Sequence, residues 1–443
     1  MEKKREKDRG IREYIRKLAC ILAGAVAICC VALFLAAIIA GPARDEPEEA
    51  SYGEAAADVV AKPSDSRQVI VSMGEKYGEV FISWKGDEKG PGCIRYSKDR
   101  YSLPVTEPVI GQRCRVLSDD VYRYKVRLTN LEPGENYYYE IGDGTVYDDP
   151  RFFSTPDNDG EDVFAYLGDP QFDRSTDDYD DWGDLVWDMY DRAPDTEFVV
   201  TGGDMVNLPT REDHWNGFLD NCRLFSMIPM ATVPGNHEGV TSNNTYRALF
   251  HHVDNGPADE TFYWFESEAC RFVMMDSSFL TKARRAAMGQ ALWSVREQEV
   301  KKWLRKTLRE SRKPWNIVVV HHPVYGLHDF FTVSPEIRES WLPIMKEEGV
   351  DLVLCGHQHV YMRTQRMDGI THIMGVSGSK RSNYYKGFNE PMYSRSIYAS
   401  GANYQIFRAT PERLEIKSYN EKGDIIDAAH IDKNIRLPYF QTF

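Results

Sequence analysis

Five short polar segments, each placed directly after a short apolar run, constrain the fold of this chain more than any other feature of its sequence. The segments are Gly168-Asp169, Gly203-Asp204, Gly235-Asn236-His237-Glu238, His321-His322-Pro323 and Gly356-His357-Gln358-His359. The apolar runs before them have the length of buried strands. Strand ends of an open α/β sheet converge on one edge, where such folds bind their ligands. The sequence therefore predicts an α/β sheet that brings these polar side chains together.

The side chains expected at that edge are carboxylates, an amide and imidazoles. Such a mixture of oxygen and nitrogen donors suits divalent transition metals. A dinuclear hydrolytic centre holds two metals about 3.5 to 4 Å apart and needs a bridging carboxylate with further donors on each side. Six residues supply that inventory, namely Asp169, Asp204, Asn236, His321, His357 and His359. The pattern therefore predicts a pair of metal ions.

Strand and helix patterns alternate through residues 161–425, which we predict to be the α/β domain, with a tail at 426–443. Helices are predicted at 184–192, 211–225, 295–311 and 335–348. The apolar runs 262–265 and 272–275 predict an antiparallel pair. Parallel and antiparallel strands together favour two sheets packed face to face with helices outside. The acidic run 177–184 lacks the spacing of a calcium loop and is interpreted as a solvated loop.

Residues 67–156 have a different pattern, with about seven short runs of β-branched and aromatic residues separated by turn residues. This pattern is typical of a β-sandwich. Cys93 and Cys114 both lie in this region and either form a disulfide or pack as small buried hydrophobic residues. Five cysteines lie outside the N-terminal segment, and an odd number cannot pair completely within one chain.

The first 66 residues predict a membrane anchor. Residues 1–17 are rich in Lys and Arg, and residues 18–40 contain no charged residue. As a helix, 18–40 would be roughly 34 Å long, enough to span a bilayer. Basic residues before it and acidic residues after it predict a cytoplasmic N-terminus, an extracytoplasmic chain and a linker at 41–66. Cleavage near residue 40 would make the protein secreted instead.

The formal net charge of −14 argues against a nucleic-acid-binding surface. Binding to a phosphate backbone needs clustered Lys and Arg, and outside the N-terminal segment no such cluster is evident. The oligomeric state is left open by the sequence.

Two motifs resemble known families. Residues 356–363, Gly-His-Gln-His-Val-Tyr-Met-Arg, resemble the Gly-His-x-His-x-Tyr-Glu-Arg motif of calcineurin-like metallophosphoesterases, and specifically of purple acid phosphatases, with Met362 where Glu is usual. Residues 131–139, Leu-Glu-Pro-Gly-Glu-Asn-Tyr-Tyr-Tyr, resemble the corner of fibronectin type III domains. The resemblance covers residues 68–378. It implies an α/β/β/α metallophosphoesterase sandwich preceded by an all-β, fibronectin III-like sandwich.

The resemblance also implies roles for individual residues. Asp169 and His359 would bind the first metal, Asp204 would bridge both metals, and the second metal would be bound by three further residues, Asn236, His321 and His357. His322 would support the ligands from beside them. His237 would contact the phosphoryl oxygens, and His328 would protonate the leaving group.

Two positions depart from the resembled pattern. Asn207 stands where purple acid phosphatases have a tyrosine ligand, so the purple colour and a firm preference for ferric iron are not expected. Gln171 stands where many other metallophosphoesterases have a histidine ligand, and it either binds the first metal through its carbonyl oxygen or supports it without binding. The metals expected are therefore two divalent ions, manganese, zinc or iron.

These inferences predict an enzyme that hydrolyses phosphate monoesters outside the cytoplasmic membrane, through attack by a metal-bound hydroxide. One alternative is a phosphodiesterase of the same fold, since loops select the substrate. A second alternative, from another class, is a non-catalytic cell-surface adhesion protein in which the sandwich does the binding.

Overall fold

The computed structural model describes residues 68–86, 91–110, 112–116, 119–239, 244–257, 261–330, 332–381, 392–399 and 401–433. The predicted basic segment, anchor and linker at residues 1–66 lie outside the described residues, as do residues 434–443 of the predicted tail. Within the described ranges, no helix combines the length and apolarity needed to cross a membrane.

The N-terminal part is an all-β sandwich. Its strands are β1 (Ile70–Met73), β2 (Val80–Gly86), β3 (Pro91–Ser97), β4 (Val105–Ile110), β5 (Gln112–Val116), β6 (Asp119–Leu128), β7 (Asn136–Gly142) and β8 (Arg151–Ser154). One layer has the order β1-β2-β6-β5 and the other β4-β3-β7-β8. The Tyr137 hydroxyl accepts a hydrogen bond from the Glu132 amide and ties the corner before β7. Cys93 is a buried free thiol, so the disulfide alternative is not formed.

The rest of the chain supplies thirteen strands and eight α-helices to the described structure. The strands are β9 (Asp162–Leu167), β10 (Phe198–Thr201), β11 (Met230–Thr232), β12 (Tyr263–Glu266), β13 (Cys270–Met275), β14 (Trp315–Val320), β15 (Leu352–Cys355), β16 (Tyr361–Thr364), β17 (Thr371–Met374), β18 (Ser394–Tyr398), β19 (Asn403–Ala409), β20 (Arg413–Asn420) and β21 (Ile425–Asp432). The helices are α1 (Asp178–Arg192), α2 (Glu212–Asp220), α3 (Asn236–Gly239), α4 (Asn244–Leu249), α5 (Lys282–Met288), α6 (Gln290–Arg309), α7 (Ser334–Ser340) and α8 (Leu342–Glu347).

Two sheets pack face to face, as the sequence predicted. The first has the order β21-β20-β19-β9-β10-β11-β1-β2-β6-β5, and the second β12-β13-β14-β15-β17-β16-β18. Apolar residues of both sheets, such as Phe164 and Phe272, form the core between them. The outer faces pack against α1 and α2 on one side and α6 to α8 on the other. Since β1 pairs with β11, the N-terminal sandwich shares its first sheet with the α/β part.

Parallel pairing explains why polar residues gather at one edge. In the first sheet β9, β10 and β11 are parallel, and in the second β13, β14, β15 and β17 are parallel. These strands are buried on both faces, because the other sheet covers the inner face and helices cover the outer face. Their carboxyl ends therefore open onto a common edge. The expected antiparallel pair is also confirmed, as β12 and β13.

Several predicted helix boundaries were wrong. The acidic run 177–184 is not a solvated loop, because α1 begins at Asp178 and its buried Tyr179 and Trp182 continue the apolar face formed by Leu185 and Met189. Carboxylates in the first turn also favour the helix dipole. The helix predicted at 335–348 is split into α7 and α8, since Pro343 has no amide hydrogen and lies in the first turn of a new helix that begins at Leu342.

The other two long helices also differ from their predictions. The helix predicted at 211–225 ends at Asp220, and a 3₁₀ turn, Arg223–Ser226, follows it. Helix α6 begins at Gln290, five residues before the predicted start, directly after Gly289. The predicted tail begins within a strand, because β21 pairs with β20.

Candidate metal centre

Four of the six predicted ligands lie at tight backbone turns. Asp169, Asp204, His357 and His359 have φ angles of 39°, 52°, 76° and 53°. Only seven non-glycine residues of the described structure have a positive φ. This conformation is uncommon for residues with a Cβ atom, and such strain concentrates at functional sites. The surrounding contacts therefore hold these turns against their intrinsic preference.

Glycines before the ligands allow the loops to approach each other. A Cβ atom at Gly235 would lie 2.1 Å from Asp204 Oδ1, and one at Gly356 would lie 2.3 Å from Asp169 Oδ2. Both contacts are far too short, so only glycine fits. The Gly-Asn and Gly-His pairs of the sequence thus follow from the close packing of four loops in two pairs.

Asp204, Asn236, His321 and His357 form what we call the second-metal side. Asn236 Oδ1 lies 3.1 Å from His321 Nε2 and 2.8 Å from His357 Nδ1. Asp204 Oδ2 lies 3.1 Å from His321 Nε2. The other nitrogen of His321, Nδ1, donates to the Gly202 carbonyl oxygen at 2.8 Å, which directs Nε2 toward the other ligands.

Asp169, Asp204 and His359 form the first-metal side. One ligand atom from each of these residues lies within 4.8 Å of the others, and the same holds for Asp204, His321 and His357. Asp204 therefore belongs to both groups, which is the arrangement expected of a bridging carboxylate.

The residues of both sides fit a pair of metal ions. Asp169 is fully buried, and its Oδ2 accepts the His357 amide hydrogen at 2.7 Å. Its Oδ1 is buried without a hydrogen-bond partner among the described residues and lies 3.9 Å from His359 Nε2. An unpaired buried carboxylate oxygen is costly, and a cation would compensate it. The nitrogen and oxygen donors suit zinc, manganese or iron.

The charges of the centre are strongly coupled. Burial raises the pKa of Asp169 well above its usual value. Burial acts in the same direction on Asp204, but the neighbouring His321 and His237 outweigh it and hold the pKa of Asp204 well below its usual value. Burial alone would lower the pKa of His321, yet the Asp204 and Asp169 carboxylates raise it to about 9. A metal ion would have to displace protons from this centre.

Glu238 holds two of the ligand loops together, a role that was not predicted from the sequence. Its carboxylate is buried and accepts four backbone hydrogen bonds, from Asp204, Met205, Val206 and Gly235, at 2.9 to 3.2 Å. The loop of Asp204 is thereby joined to the turn that carries Asn236. The sequence signal for this role was the position of Glu238 within the motif Gly-Asn-His-Glu.

His237 lies at the edge of the centre and is half-buried. Its amide donates to Asp204 Oδ1 at 2.8 Å, and its Nδ1 donates to the Asn207 carbonyl oxygen at 2.6 Å. The ring nitrogen Nε2 lies 3.9 Å from Asp204 Oδ2. This orientation places Nε2 beside the bridging carboxylate, where a substrate oxygen would bind.

His328 lies beside the loop that carries His357 and His359. Gln358, located between His357 and His359, donates to the His328 carbonyl oxygen at 2.8 Å and accepts the Leu327 amide hydrogen at 2.6 Å. Gln358 thus anchors the loop of His328 to the centre, a role that the sequence did not reveal.

The remaining predicted residues support the ligands in different ways. His322 Nδ1 lies 2.8 Å from the Ser277 hydroxyl, and its ring packs against that of His357 with centroids 4.3 Å apart. Asn207 donates through Nδ2 to the Phe172 carbonyl oxygen, and its Oδ1 is buried without a partner in the described part of the chain.

Gln171 and Lys380 lie together beside the first-metal side. The amide nitrogen of Gln171 is 3.0 Å from His359 Nε2 and 3.3 Å from Asp204 Oδ2. Its carbonyl oxygen accepts a hydrogen bond from Lys380 Nζ at 3.1 Å. Lys380 orients the amide with its nitrogen toward the centre, which favours the supporting role for Gln171. No motif in the sequence pointed to Lys380.

Two family descriptions match the chain. Residues 163–361 match "Calcineurin-like phosphoesterase", and residues 66–155 match "Purple acid Phosphatase, N-terminal domain". A purple acid phosphatase from Glycine max is 25% identical over 349 residues, which cover 71% of this chain and 70% of the relative. Fe(3+)-Zn(2+) purple acid phosphatase 12 of Arabidopsis thaliana is 23% identical over 361 residues, covering 74% and 71%.

Solved structures share the fold. The purple acid phosphatase PPD1 from yellow lupin (Lupinus luteus) seeds matches with a TM-score of 0.67 at 15% identity, covering 83% of this chain and 74% of that one. The structure of PhoD matches with a TM-score of 0.60 at 12% identity, covering 84% and 94%. Both matches extend across the sandwich and the α/β part.

Proposed function

This chain is a calcineurin-like metallophosphoesterase with a purple acid phosphatase N-terminal domain, and we propose that it hydrolyses phosphate monoesters. The observation that most supports a dinuclear reaction is the position of Asp204, which is shared by both groups of ligand atoms. The relatives described as phosphatases support the choice of monoesters.

We assign the six predicted ligands to the metals as the family pattern implies. Asp169 and His359 would hold the first metal, Asn236, His321 and His357 the second, and Asp204 both. When bound, the pair supplies Lewis-acid charge and activates water for attack on phosphorus. The buried carboxylates and the Glu238 hydrogen bonds keep the ligand atoms in place for this chemistry.

His237 would bind a phosphoryl oxygen through Nε2, which faces the centre. Because Nδ1 donates to the Asn207 carbonyl oxygen, a neutral ring has no hydrogen on Nε2. Protonation adds that hydrogen and a positive charge, and Nε2 then donates to the substrate.

His328 is better suited to donate a hydrogen bond than to transfer a proton. Its Nδ1 accepts the Phe330 amide hydrogen at 3.3 Å, and burial lowers the pKa of the ring. Both effects favour a neutral ring that carries its hydrogen on Nε2. We therefore assign it a hydrogen bond to the leaving-group oxygen in place of the acid role expected from the sequence.

The test compares the full-length chain, purified in detergent and reloaded with manganese, zinc or iron, with Asp204→Asn. Faster turnover of p-nitrophenyl phosphate than of bis(p-nitrophenyl) phosphate, lost by about a thousandfold or more in the variant, would support the proposal. The exposed Asp184→Asn is a matched control and should retain full activity. Faster diester turnover would favour the phosphodiesterase alternative, and neither turnover nor bound metal would favour the adhesion protein.

We further propose that the enzyme acts outside the cytoplasmic membrane, anchored by residues 18–40. The support is the uncharged stretch itself and the basic residues before it. Protease treatment of intact cells tests this orientation: degradation of the catalytic domain is expected, and protection until the cells are lysed would contradict it.

A further inference from the structure

A short segment after β17 runs along the first ligand loop. The Ser377 amide and hydroxyl both donate to the Gly168 carbonyl oxygen, at 2.5 and 2.8 Å, and the Gly378 amide donates to the Asp169 carbonyl oxygen at 2.9 Å. A Cβ atom at Gly378 would lie 2.2 Å from the backbone carbonyl oxygen of Gln171. The segment is thus packed directly against the backbone of the first-metal side.

Ser379, the residue before Lys380, is fixed by two further hydrogen bonds. Its hydroxyl donates to Asp178 Oδ2 at 2.6 Å and accepts the Asp173 amide hydrogen at 2.8 Å. The two residues before Lys380, Gly378 and Ser379, are therefore both held in place. Lys380 occupies a defined position beside the centre, unlike a lysine on a free surface loop.

The ammonium of Lys380 has no carboxylate partner among the described residues. Its hydrogen bond there is to the neutral side-chain oxygen of Gln171, at 3.1 Å. The residue is half-buried. Nζ lies 3.1 Å from the side-chain oxygen of Gln171, and the amide nitrogen of Gln171 is 3.0 Å from His359 Nε2, so one side chain separates this charge from the first-metal side. A cation in this position adds positive charge to a centre that already binds cations.

The charge at this position fits an anionic ligand. A phosphate monoester carries up to two negative charges and three non-bridging oxygens, whereas a diester carries one charge and two such oxygens. Lysine binds phosphate as a point charge through charge-assisted hydrogen bonds. The dianion therefore gains more from an ammonium on this side than a diester does.

We propose that Lys380 donates a hydrogen bond to a non-bridging phosphoryl oxygen of the substrate and thereby favours monoesters over diesters. When no substrate is bound, the side-chain oxygen of Gln171 accepts the hydrogen bond from Nζ and so holds the ammonium in position. This inference rests on the proposed phosphatase function and adds a residue that selects the substrate class.

The test measures binding of inorganic phosphate to the full-length, manganese-loaded protein by calorimetry, together with metal content. In Lys380→Gln we expect the dissociation constant for phosphate to rise about ten- to a hundredfold, as for loss of a charged hydrogen bond. Two metals should stay bound, and the ratio of monoester to diester kcat/KM should fall. Lys380→Arg should retain most of the affinity.

Arg381→Gln is the matched control, since it removes the same charge one residue away, where the guanidinium contacts the Gly378 carbonyl oxygen. Equal phosphate affinities in the two Gln variants would overturn the proposal, and so would loss of metal from Lys380→Gln with affinity restored by excess manganese. If the unmodified protein turns over monoesters while Lys380→Gln is unaffected, only this inference fails. If the unmodified protein binds metal but neither binds phosphate nor cleaves esters, the proposed function fails with it.

Discussion

The two sides of the metal centre share Asp204 but are built differently. The second-metal side contains two histidines whose ring nitrogens lie within 3.1 Å of the same Asn236 oxygen. The first-metal side has one histidine, and the Gln171 amide nitrogen lies against its ligand atoms. The Lys380 ammonium donates a hydrogen bond to the oxygen of that amide group.

This difference implies unequal metal affinities. In the proposed assignment four side chains would bind the second metal and three the first, where Asn207 takes the place of the tyrosine implied by the family resemblance. The Lys380 charge opposes a cation on the first side by Coulomb repulsion. We therefore expect a tightly held second metal and a first metal that exchanges more readily.

The largest expected effect comes from two histidines of one loop. His357→Ala should weaken binding of the tightly held metal by at least about a hundredfold, because losing a ligand costs more than losing a supporting contact. His359→Ala should leave about one metal per chain tightly bound, as expected when only the three-ligand side is damaged. Metal titration with a competing chelator distinguishes them. If both variants lose metal equally, the two sides are not independent.

Glu238→Gln should damage both sides at once. The amide can accept backbone hydrogen bonds through its oxygen alone, so two N–H groups would face an NH₂ group. We expect a loss of about 2–4 kcal/mol in the free energy of unfolding and release of both metals. Urea unfolding at fixed manganese concentration measures the first effect. The exposed Glu299→Gln should change stability by less than about 0.5 kcal/mol, and a similar small change in Glu238→Gln would contradict the assigned role.

The pH dependence of metal binding should report on the protonation of His321 in the second-metal side. The carboxylates outweigh burial and raise the pKa of His321 to about 9, so a proton occupies this ring below that pH and must leave when metal binds. Affinity for the first equivalent of metal should therefore rise with pH, by about tenfold per unit for each proton released. Chelator competition between pH 6 and 8.5 measures this slope. A flat profile would show that His321 is neutral before metal binds.

The smallest expected effect is a gain. Gln171→His adds a nitrogen donor where the amide now lies 3.0 Å from His359 Nε2, and it should raise affinity for the more weakly held metal by roughly tenfold. Gln290→His, at the start of α6, is the control and should bind no more metal than the unmodified protein. Unchanged affinity in Gln171→His would mean that this position does not face the metal.

The positions of the proposed ligands could be predicted because each follows a buried strand. Alternation of apolar runs with helical patterns indicates which strands are parallel, and parallel strands end at a common edge. Glu238 and Gln358 lay inside the same motifs, yet their partners are backbone groups of other loops. A sequence does not show which backbone amides need a side-chain partner. The roles of Glu238 and Gln358 were therefore evident only from the structure.

Helix boundaries were harder to predict because burial overrode local composition. The acidic start of α1 has the composition of a loop, and only packing of Tyr179 and Trp182 against the first sheet makes it helical. The shared sheet between the sandwich and the α/β part was equally invisible. It depends on one parallel pairing between strands about 160 residues apart, Ser72 with Met230.

The sequence by itself determined the α/β class, the β-sandwich before it and the set of donor side chains, since periodicity and motif residues are local properties. The tertiary structure decided which atoms face one another: Asp204 is common to both sides, Gln171 turns its nitrogen inward, and Lys380 lies beside them. Lys380 is 209 residues from Gln171 along the chain. Only the packing of two loops from different sheets brings that charge to the metal centre.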